Sequence, residues 1–115
     1  MDLNTYQQRA GDSDNCSHLG FTYYGLGLVG EAGEVAEKLK KHFRDDLEPG
    51  GDVTGVVLHP ERKEAIKKEL GDVLWYVARL ACYVGYDLDE IAQDNIEKLR
   101  SRMDRGVLGG SGDTR

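Results

Sequence analysis

The segment Glu31-Ala-Gly-Glu34 has a counterpart later in the chain, Glu69-Leu-Gly-Asp72. Each acidic pair has the i, i+3 spacing that places both side chains on one face of an α-helix. If the two helices faced each other, four carboxylates would surround one point and would repel one another unless a cation compensated them. Oxygen ligands of this kind suit Mg²⁺ or Mn²⁺, which usually bring phosphates to a site. The pattern therefore predicts metal-assisted chemistry on a phosphorylated small molecule.

Apolar residues around both pairs recur with the period of a helix. On a helical wheel with Glu31 at 0°, they cover about 40° to 140°, and with Glu69 at 0° they cover about 20° to 140°. Four helices are predicted in all, over residues 2–10, 21–43, 60–84 and 88–103. The predicted fold is all-α, and its apolar stripes include Leu39, Phe43, Leu70, Leu74, Ile96, Leu99 and Met103.

The connections between these helices set the predicted domain organisation. Residues 44–60 are rich in turn formers, and they leave a small hairpin at 52–59 or an ordered loop open. Asp87 or Asp89 is expected to cap the last helix. Residues 1–105 are predicted to form one helical domain, followed by a flexible glycine-rich tail at 106–115. Because so small a domain buries a limited share of its surface, we expect dimerisation to complete the core.

Composition excludes several classes of function. The net charge of −6 argues against a nucleic-acid polymer as partner, because phosphate backbones need clustered Lys and Arg. No apolar stretch is long enough to span a bilayer, and none near Met1 resembles a signal peptide, so a cytoplasmic location is expected. Two cysteines form no disulfide framework, and Cys82 is expected in the core. The three histidines are expected at the surface.

Glycines in the second predicted helix match a dinucleotide-binding pattern in letters only. Gly25-Leu-Gly27-Leu-Val-Gly30 reads GxGxxG, but no buried strand precedes it and the helix that follows carries carboxylates. Each glycine in a helix interior costs about 1 kcal/mol relative to alanine. We therefore expect another helix or a ligand to approach closely at Gly27, Gly30 and Gly33.

The last helix carries polar residues along one edge of its apolar stripe. With Asn95 at 0° on the wheel, Lys98 and Arg102 lie at about 300° and 340°. The acidic pairs occupy the same edge of their own helices. This alignment favours contacts with phosphate groups.

These motifs together resemble the MazG-like nucleotide pyrophosphohydrolases of the all-α NTP pyrophosphatase superfamily. The ordered set ExxE…ExxD is carried by Glu31-Ala-Gly-Glu34 and Glu69-Leu-Gly-Asp72, and Asn95-Ile-Glu-Lys98 resembles the downstream Asn-x-x-Lys segment. The resemblance implies a helical protomer that forms a homodimer or homotetramer. It also implies Mg²⁺-dependent cleavage of the α–β phosphate bond of a (d)NTP to give (d)NMP and pyrophosphate, with Mn²⁺ as a second possible metal.

The same resemblance assigns roles to individual residues. Catalysis and metal binding fall to the four acidic residues, and substrate binding falls to Asn95 and Lys98, with Lys38, Lys41 and Arg102 as further candidates. Two departures stand out: the gap between the acidic pairs is longer than usual, and Gly30 stands where related enzymes often carry a Glu. The general base is therefore left open between a motif carboxylate and Glu37.

Other functions remain open at this point. A phosphoribosyl-ATP pyrophosphohydrolase would use the same metal chemistry on another substrate. A non-catalytic helical module that binds a nucleotide or a protein partner belongs to a different class. A di-iron bundle is disfavoured because it needs a Glu-x-x-His pair, which the chain lacks.

Overall fold

The computed structural model describes residues 1–47 and 57–115. Within these residues there are no strands, and the four α-helices are α1 (Leu3–Asp12), α2 (Gly20–Lys41), α3 (Pro60–Val84) and α4 (Leu88–Asp104). A 3₁₀ turn, Ser17–Leu19, precedes α2, and a π-helical turn, His42–Asp46, follows it. The all-α prediction is confirmed. The predicted hairpin at 52–59 falls largely outside the described residues, and none of the described helices has the length and apolar character that crossing a membrane requires.

Helices α2 and α3 form the main packing interface and run antiparallel. Near the start of α2, the Phe21 ring lies 5.9 Å from the Tyr83 ring at the end of α3. Near the end of α2, Lys38 Nζ lies 3.1 Å from Glu69 Oε1, which is closer to the start of α3. The middle of α2 is therefore held opposite the middle of α3, where the two acidic pairs lie.

At Gly27 the two helices approach each other closely. A Cβ atom built on Gly27 would overlap Cε1 of Tyr76, so the tyrosine ring occupies the space that any side chain would need. The expectation of a close approach is confirmed at this position. At Gly30 and Gly33 nothing in residues 1–47 and 57–115 packs within 4 Å of such a Cβ, so these described residues supply no close neighbour there.

The core of the protomer is small and lies where α1, α3 and α4 meet. Its buried side chains are Ala10, Ala78, Ala81 and Leu88, with Tyr6, Trp75 and Val77 packed against them. The Trp75 indole N–H donates to the Ala10 carbonyl at 3.1 Å, which ties α1 to α3. Cys82 is exposed, so its predicted place in the core is wrong: it lies outside the stripe on which α3 contacts its neighbours.

Helix α4 is capped by side chains of α1. The Leu88 backbone N–H donates to Gln7 Oε1 at 2.9 Å, and the Asp89 N–H donates to Asn4 Oδ1 at 3.0 Å. Asp87 occupies the N-cap position, and its side chain makes no capping hydrogen bond. The cap that the sequence predicted within α4 is therefore replaced by side chains of α1, which accept hydrogen bonds from unpaired N–H groups in the first turn of α4.

A clasp at Asp46 joins the end of α2 to the start of α3. The Arg62 guanidinium donates to both carboxylate oxygens of Asp46, with Nε–Oδ2 at 2.8 Å and Nη2–Oδ1 at 2.9 Å. His59 Nε2 lies 3.1 Å from the Asp46 carbonyl oxygen. His42 Nδ1 lies 3.5 Å from Asp46 Oδ2, and the His42 side chain is only 1% exposed. The surface position predicted for this histidine is therefore wrong, because the π-helical turn rotates it inward.

The apolar stripes are only partly covered in one protomer. Seven residues predicted to face the core remain between 39% and 59% exposed: Leu39, Phe43, Leu70, Leu74, Ile96, Leu99 and Met103. Helix α4 packs chiefly against α1, and this arrangement leaves the stripes of the longer helices without a fourth helix to cover them.

Replacing Gly27 with alanine tests the close approach. We expect Gly27→Ala to lower the free energy of unfolding by about 1–3 kcal/mol, because the new methyl group displaces the Tyr76 ring. Gly25→Ala is the matched control, since no described atom lies near its Cβ position. There we expect a gain of up to about 1 kcal/mol from helix propensity. Chemical denaturation of both variants measures the difference, and equal effects would contradict the proposed contact.

Replacing Asp46 with asparagine tests the clasp and its pH dependence. The hydrogen bonds from Arg62 are the main cause that holds the pKa of Asp46 at about 2. Because an unfolded Asp titrates near pH 3.9, this lowered pKa stabilises the protein above about pH 4, and the stabilisation is lost as pH falls towards 2. We expect Asp46→Asn to lower the melting temperature at pH 6 and the difference from the parent to shrink between about pH 4 and 2.

The control for this experiment is Asp45→Asn. It removes the same charge from a more exposed carboxylate that is paired with its neighbour Arg44. A loss of stability as large as that of Asp46→Asn would show that general charge, and not the clasp, is responsible.

Candidate active site

Three of the four predicted acidic residues converge between α2 and α3. Carboxylate oxygens of Glu31, Glu69 and Asp72 all lie within 4.8 Å of one another. Glu31 comes from α2, and the other two come from successive turns of α3, so the antiparallel register brings them together. The chain therefore places at least three oxygen donors around one point, as a hard divalent cation requires.

The electrostatics of this cluster disfavour its negative charge. The pKa of Glu31 is raised, first by burial and then by the negative charges of Asp72, Glu69 and Glu34. A carboxylate in this position is costly to ionise unless a cation is near. Because the three carboxylates converge, a positive charge near them stabilises their ionised form.

Lys38 supplies part of that positive charge. Its Nζ lies 3.1 Å from Glu69 Oε1 and 3.7 Å from Glu34 Oε2. The hydrogen bond to Glu69 is the main cause that raises the pKa of Lys38. Glu34 has a half-exposed side chain and does not belong to the convergent group of three. The structure therefore places Lys38 against the cluster and Glu34 at its edge.

Lys41, another predicted substrate contact, is engaged elsewhere. Its Nζ lies 3.1 Å from Glu37 Oε1, one turn back on α2. The hydrogen bond from Lys41 is the main cause that lowers the pKa of Glu37. The two charges satisfy each other in this structure.

An open groove of about 580 Å³ adjoins the acidic cluster. Its lining includes Lys38 and Glu69, together with Pro60, Glu61, Glu64, Ala65 and Lys68. Lys68 is a second cation beside the cluster that the sequence reasoning did not single out, although it directly precedes Glu69. Tyr6 of α1 was also missed: burial and the charge of Asp72 raise its pKa, so its hydroxyl lies within the field of the cluster.

The predicted substrate residues of α4 lie in a different place. Asn95 and Lys98 line a separate pocket of about 320 Å³, and none of the residues around it belongs to the acidic groove. Arg102 is buried, and its guanidinium donates to the backbone carbonyl of Asp113 at 2.8 Å. Within the described part of one chain, the acidic cluster and the α4 residues are therefore not brought into a single pocket.

Comparison with known proteins places this arrangement in a family. The model of the MazG nucleotide pyrophosphohydrolase domain matches residues 20–107. The Gene 37 protein of Mycobacterium phage L5 is 47% identical over 106 residues, which cover 92% of this chain and 84% of that protein. The dCTP pyrophosphatase 1 proteins of Rattus norvegicus and Bos taurus are 35% and 34% identical over 77 residues. These 77 residues cover 67% of this chain and 42% of each pyrophosphatase.

No solved structure matches the chain. The family match spans both acidic pairs and the Asn95–Lys98 segment, so it covers the motifs from which membership was predicted. That prediction is confirmed, and the chain belongs to the MazG nucleotide pyrophosphohydrolase family.

Proposed function

We propose that this chain uses Mg²⁺ to hydrolyse the α–β phosphate bond of a nucleoside or deoxynucleoside triphosphate, giving the monophosphate and pyrophosphate. The observation that carries the proposal is the convergence of Glu31, Glu69 and Asp72 within 4.8 Å in a chain of this family. Mn²⁺ would suit the same oxygen donors. Glu34, at the edge of the cluster, would be the fourth ligand.

The residues present fit a divalent cation. Three carboxylates from two helices provide hard oxygen ligands, and burial together with the neighbouring carboxylates raises the pKa of Glu31, so a bound cation would favour the ionised cluster. When bound, Mg²⁺ supplies charge compensation for the phosphate oxygens and lowers the pKa of a water nucleophile. Glu31, Glu69 and Asp72 would hold the cation, which a phosphate needs at this site because the carboxylates alone would repel it.

The groove beside the cluster suits the polyphosphate. Lys38 and Lys68 both line it, so two ammonium groups face the space next to Glu69. In the reaction a water oxygen bonds to the α-phosphorus, and the bond to the bridging oxygen breaks, so that pyrophosphate leaves with that oxygen. A carboxylate of the cluster accepts the proton of the water. Glu37 suits this role less well, because its hydrogen bond with Lys41 lowers its pKa.

The nucleotide to test first is dCTP. Two of the relatives are dCTP pyrophosphatases, and their similarity to this chain extends over 77 residues. We propose deoxycytidine triphosphate, or another pyrimidine deoxynucleoside triphosphate, as the preferred class of substrate. A pyrophosphate-release assay across the eight common (d)NTPs, with Mg²⁺, Mn²⁺ and EDTA, tests both the reaction and the preference.

We further propose that a second copy of the chain completes the site. Seven stripe residues of one protomer stay exposed, and Asn95 and Lys98 lie in a pocket apart from the acidic groove. A homo-oligomer in which α4 of one copy faces the groove of the next would cover the apolar side chains and add Lys98 to the phosphate site. Sedimentation equilibrium measures the mass, and that of a single chain at micromolar concentration would contradict this proposal.

Neutralising Glu31 tests the metal site. We expect Glu31→Gln to raise the melting temperature in EDTA, because it relieves the repulsion with Glu69 and Asp72, and to abolish the increase that Mg²⁺ produces in the parent. Pyrophosphate release from dCTP should fall by at least about a hundredfold. Loss of a residue that only hydrogen-bonds to a metal ligand already lowers metal affinity or activity by about 10–100-fold, and Glu31 would be a ligand itself. Glu97→Gln on α4 is the control. An unchanged Mg²⁺-induced increase in Glu31→Gln would contradict the assignment.

Mixing two inactive chains tests whether the site is shared. We expect Glu69→Gln and Lys98→Met to be inactive alone, and their co-expressed mixture to recover about a quarter of the parent activity if the assembly is a dimer with shared sites. The matched control combines Glu69→Gln with Asp72→Asn, whose lesions fall in the same cluster and should not complement each other. Activity in the first mixture no higher than in the second would show that each chain carries a whole site.

A further inference from the structure

The glycine-rich tail (residues 106–115) lies against the basic edge of α4. The carboxylate oxygen Oδ1 of Asp113 lies 3.3 Å from Lys98 Nζ and 3.1 Å from Arg102 Nη2. The same Nη2 donates to the backbone carbonyl of Asp113 at 2.8 Å. A carboxylate of the chain itself thus bridges two cations that lie one helical turn apart.

The tail meets the hydrogen-bonding capacity of the buried Arg102 guanidinium only in part. Its side chain is 6% exposed, and its Nε has no acceptor among the described residues. Arg62 provides an internal comparison, because it donates through both Nε and Nη2 to the two oxygens of Asp46. Among the described residues, acceptors are found for Nη2 of Arg102 and not for its Nε, which is buried without a partner there. An unmet buried donor of this kind favours a ligand with more acceptor oxygens.

The Asp113 carboxylate is placed so that another anion can replace it. The Asp113 side chain is 83% exposed, so solvent weakens its ion pairs. The tail turns back through Gly110 and Gly112, whose φ angles of 93° and 85° suit glycine. Arg115 donates to the carbonyls of Leu108 and Gly109 and so closes the turn. The cations are therefore held in place by α4, while the anion is supplied by a surface turn; that this tail is flexible stays a prediction.

The family resemblance already assigns Lys98 and Arg102 to the substrate, and we propose that Asp113 occupies their position as an internal competitor of the phosphate groups of a pyrophosphate or nucleotide. Phosphate oxygens can accept from both Nε and Nη2 of Arg102 and from Lys98 together, which a single carboxylate oxygen does not do. The tail therefore lowers the apparent affinity for phosphates: the apparent association constant is the intrinsic one multiplied by the fraction of time for which the two cations are free of Asp113.

This inference rests on the proposed function only for the identity of the ligand as a substrate or product. The competition itself concerns an anion site on α4 and can be measured without turnover. Inorganic pyrophosphate in EDTA is the probe, because without a divalent cation the carboxylate cluster repels it. Failure of catalysis would then leave the test of the tail intact.

The experiment compares the parent chain with Asp113→Asn by isothermal titration with pyrophosphate. We expect Asp113→Asn to bind up to about fivefold more tightly, the limit set by the strength of an exposed ion pair. Asp104→Asn is the control, because it removes the same charge from an exposed residue at the end of α4. Arg102→Lys should weaken binding in both backgrounds, since a lysine cannot offer the fork.

A second measurement follows the tail directly. In the parent chain, saturating pyrophosphate should shift the amide resonances of Gly112 and Asp113, because the carbonyl groups of this turn are displaced from Arg102. Equal or weaker pyrophosphate affinity in Asp113→Asn, or tail amides that do not respond to bound pyrophosphate, would overturn the proposal. If turnover is present, Asp113→Asn should lower KM for the nucleotide and leave kcat unchanged.

Discussion

The antiparallel packing of α2 on α3 is the constraint on which the rest of the structure depends. Tyr76 packs into the gap left by Gly27, and this contact sets how the two helices are aligned. One turn further along α2, the same alignment places Glu31 opposite Glu69 and Asp72. A shift by one helical turn would separate these carboxylates by about 5 Å, so the register of an apolar contact determines the geometry of a polar site.

Convergence of the carboxylates opposes the packing that produces it. The raised pKa of Glu31 reflects both burial and repulsion, and the ammonium group of Lys38 offsets only part of the charge. Other ion pairs hold the helices together away from the cluster. Arg79 pairs with the buried carboxylate of Asp14 at 2.8 Å, and Arg62 holds Asp46 on the opposite side of the site. The site can carry excess negative charge because stabilising contacts flank it at both ends.

The sequence predicted the elements well and their contacts less well. Apolar periodicity identified four helices, and the i, i+3 spacing identified the acidic residues, because both are properties of a single helix. Capping of α4 by Gln7 is a contact between elements far apart in the chain, and no local pattern encodes it. Burial of His42 depends on a π-helical turn that shifts the helical phase, and the general expectation that isolated histidines lie at the surface takes no account of such a turn. Periodicity identified which residues form the apolar stripe of each helix, but the sequence does not say whether the same chain or another copy covers these stripes.

Two sites of opposite charge in one small chain suggest how a polyphosphate is handled. Under the proposed function, the carboxylate cluster would disfavour a phosphate unless a cation accompanied it, whereas Lys98 and Arg102 would attract a phosphate without one. Without the Asp113 contact, the pair Lys98 and Arg102 would bind small anions of any kind, even in a chain of net charge −6. In our proposal Asp113 competes with these anions, so the pair favours ligands that offer more acceptor oxygens than a carboxylate. A metal-bound nucleotide meets both conditions, since its cation suits one site and its phosphate oxygens suit the other. Selectivity for such a ligand can therefore arise from the requirement that both sites be satisfied together, before any contact with the base is made.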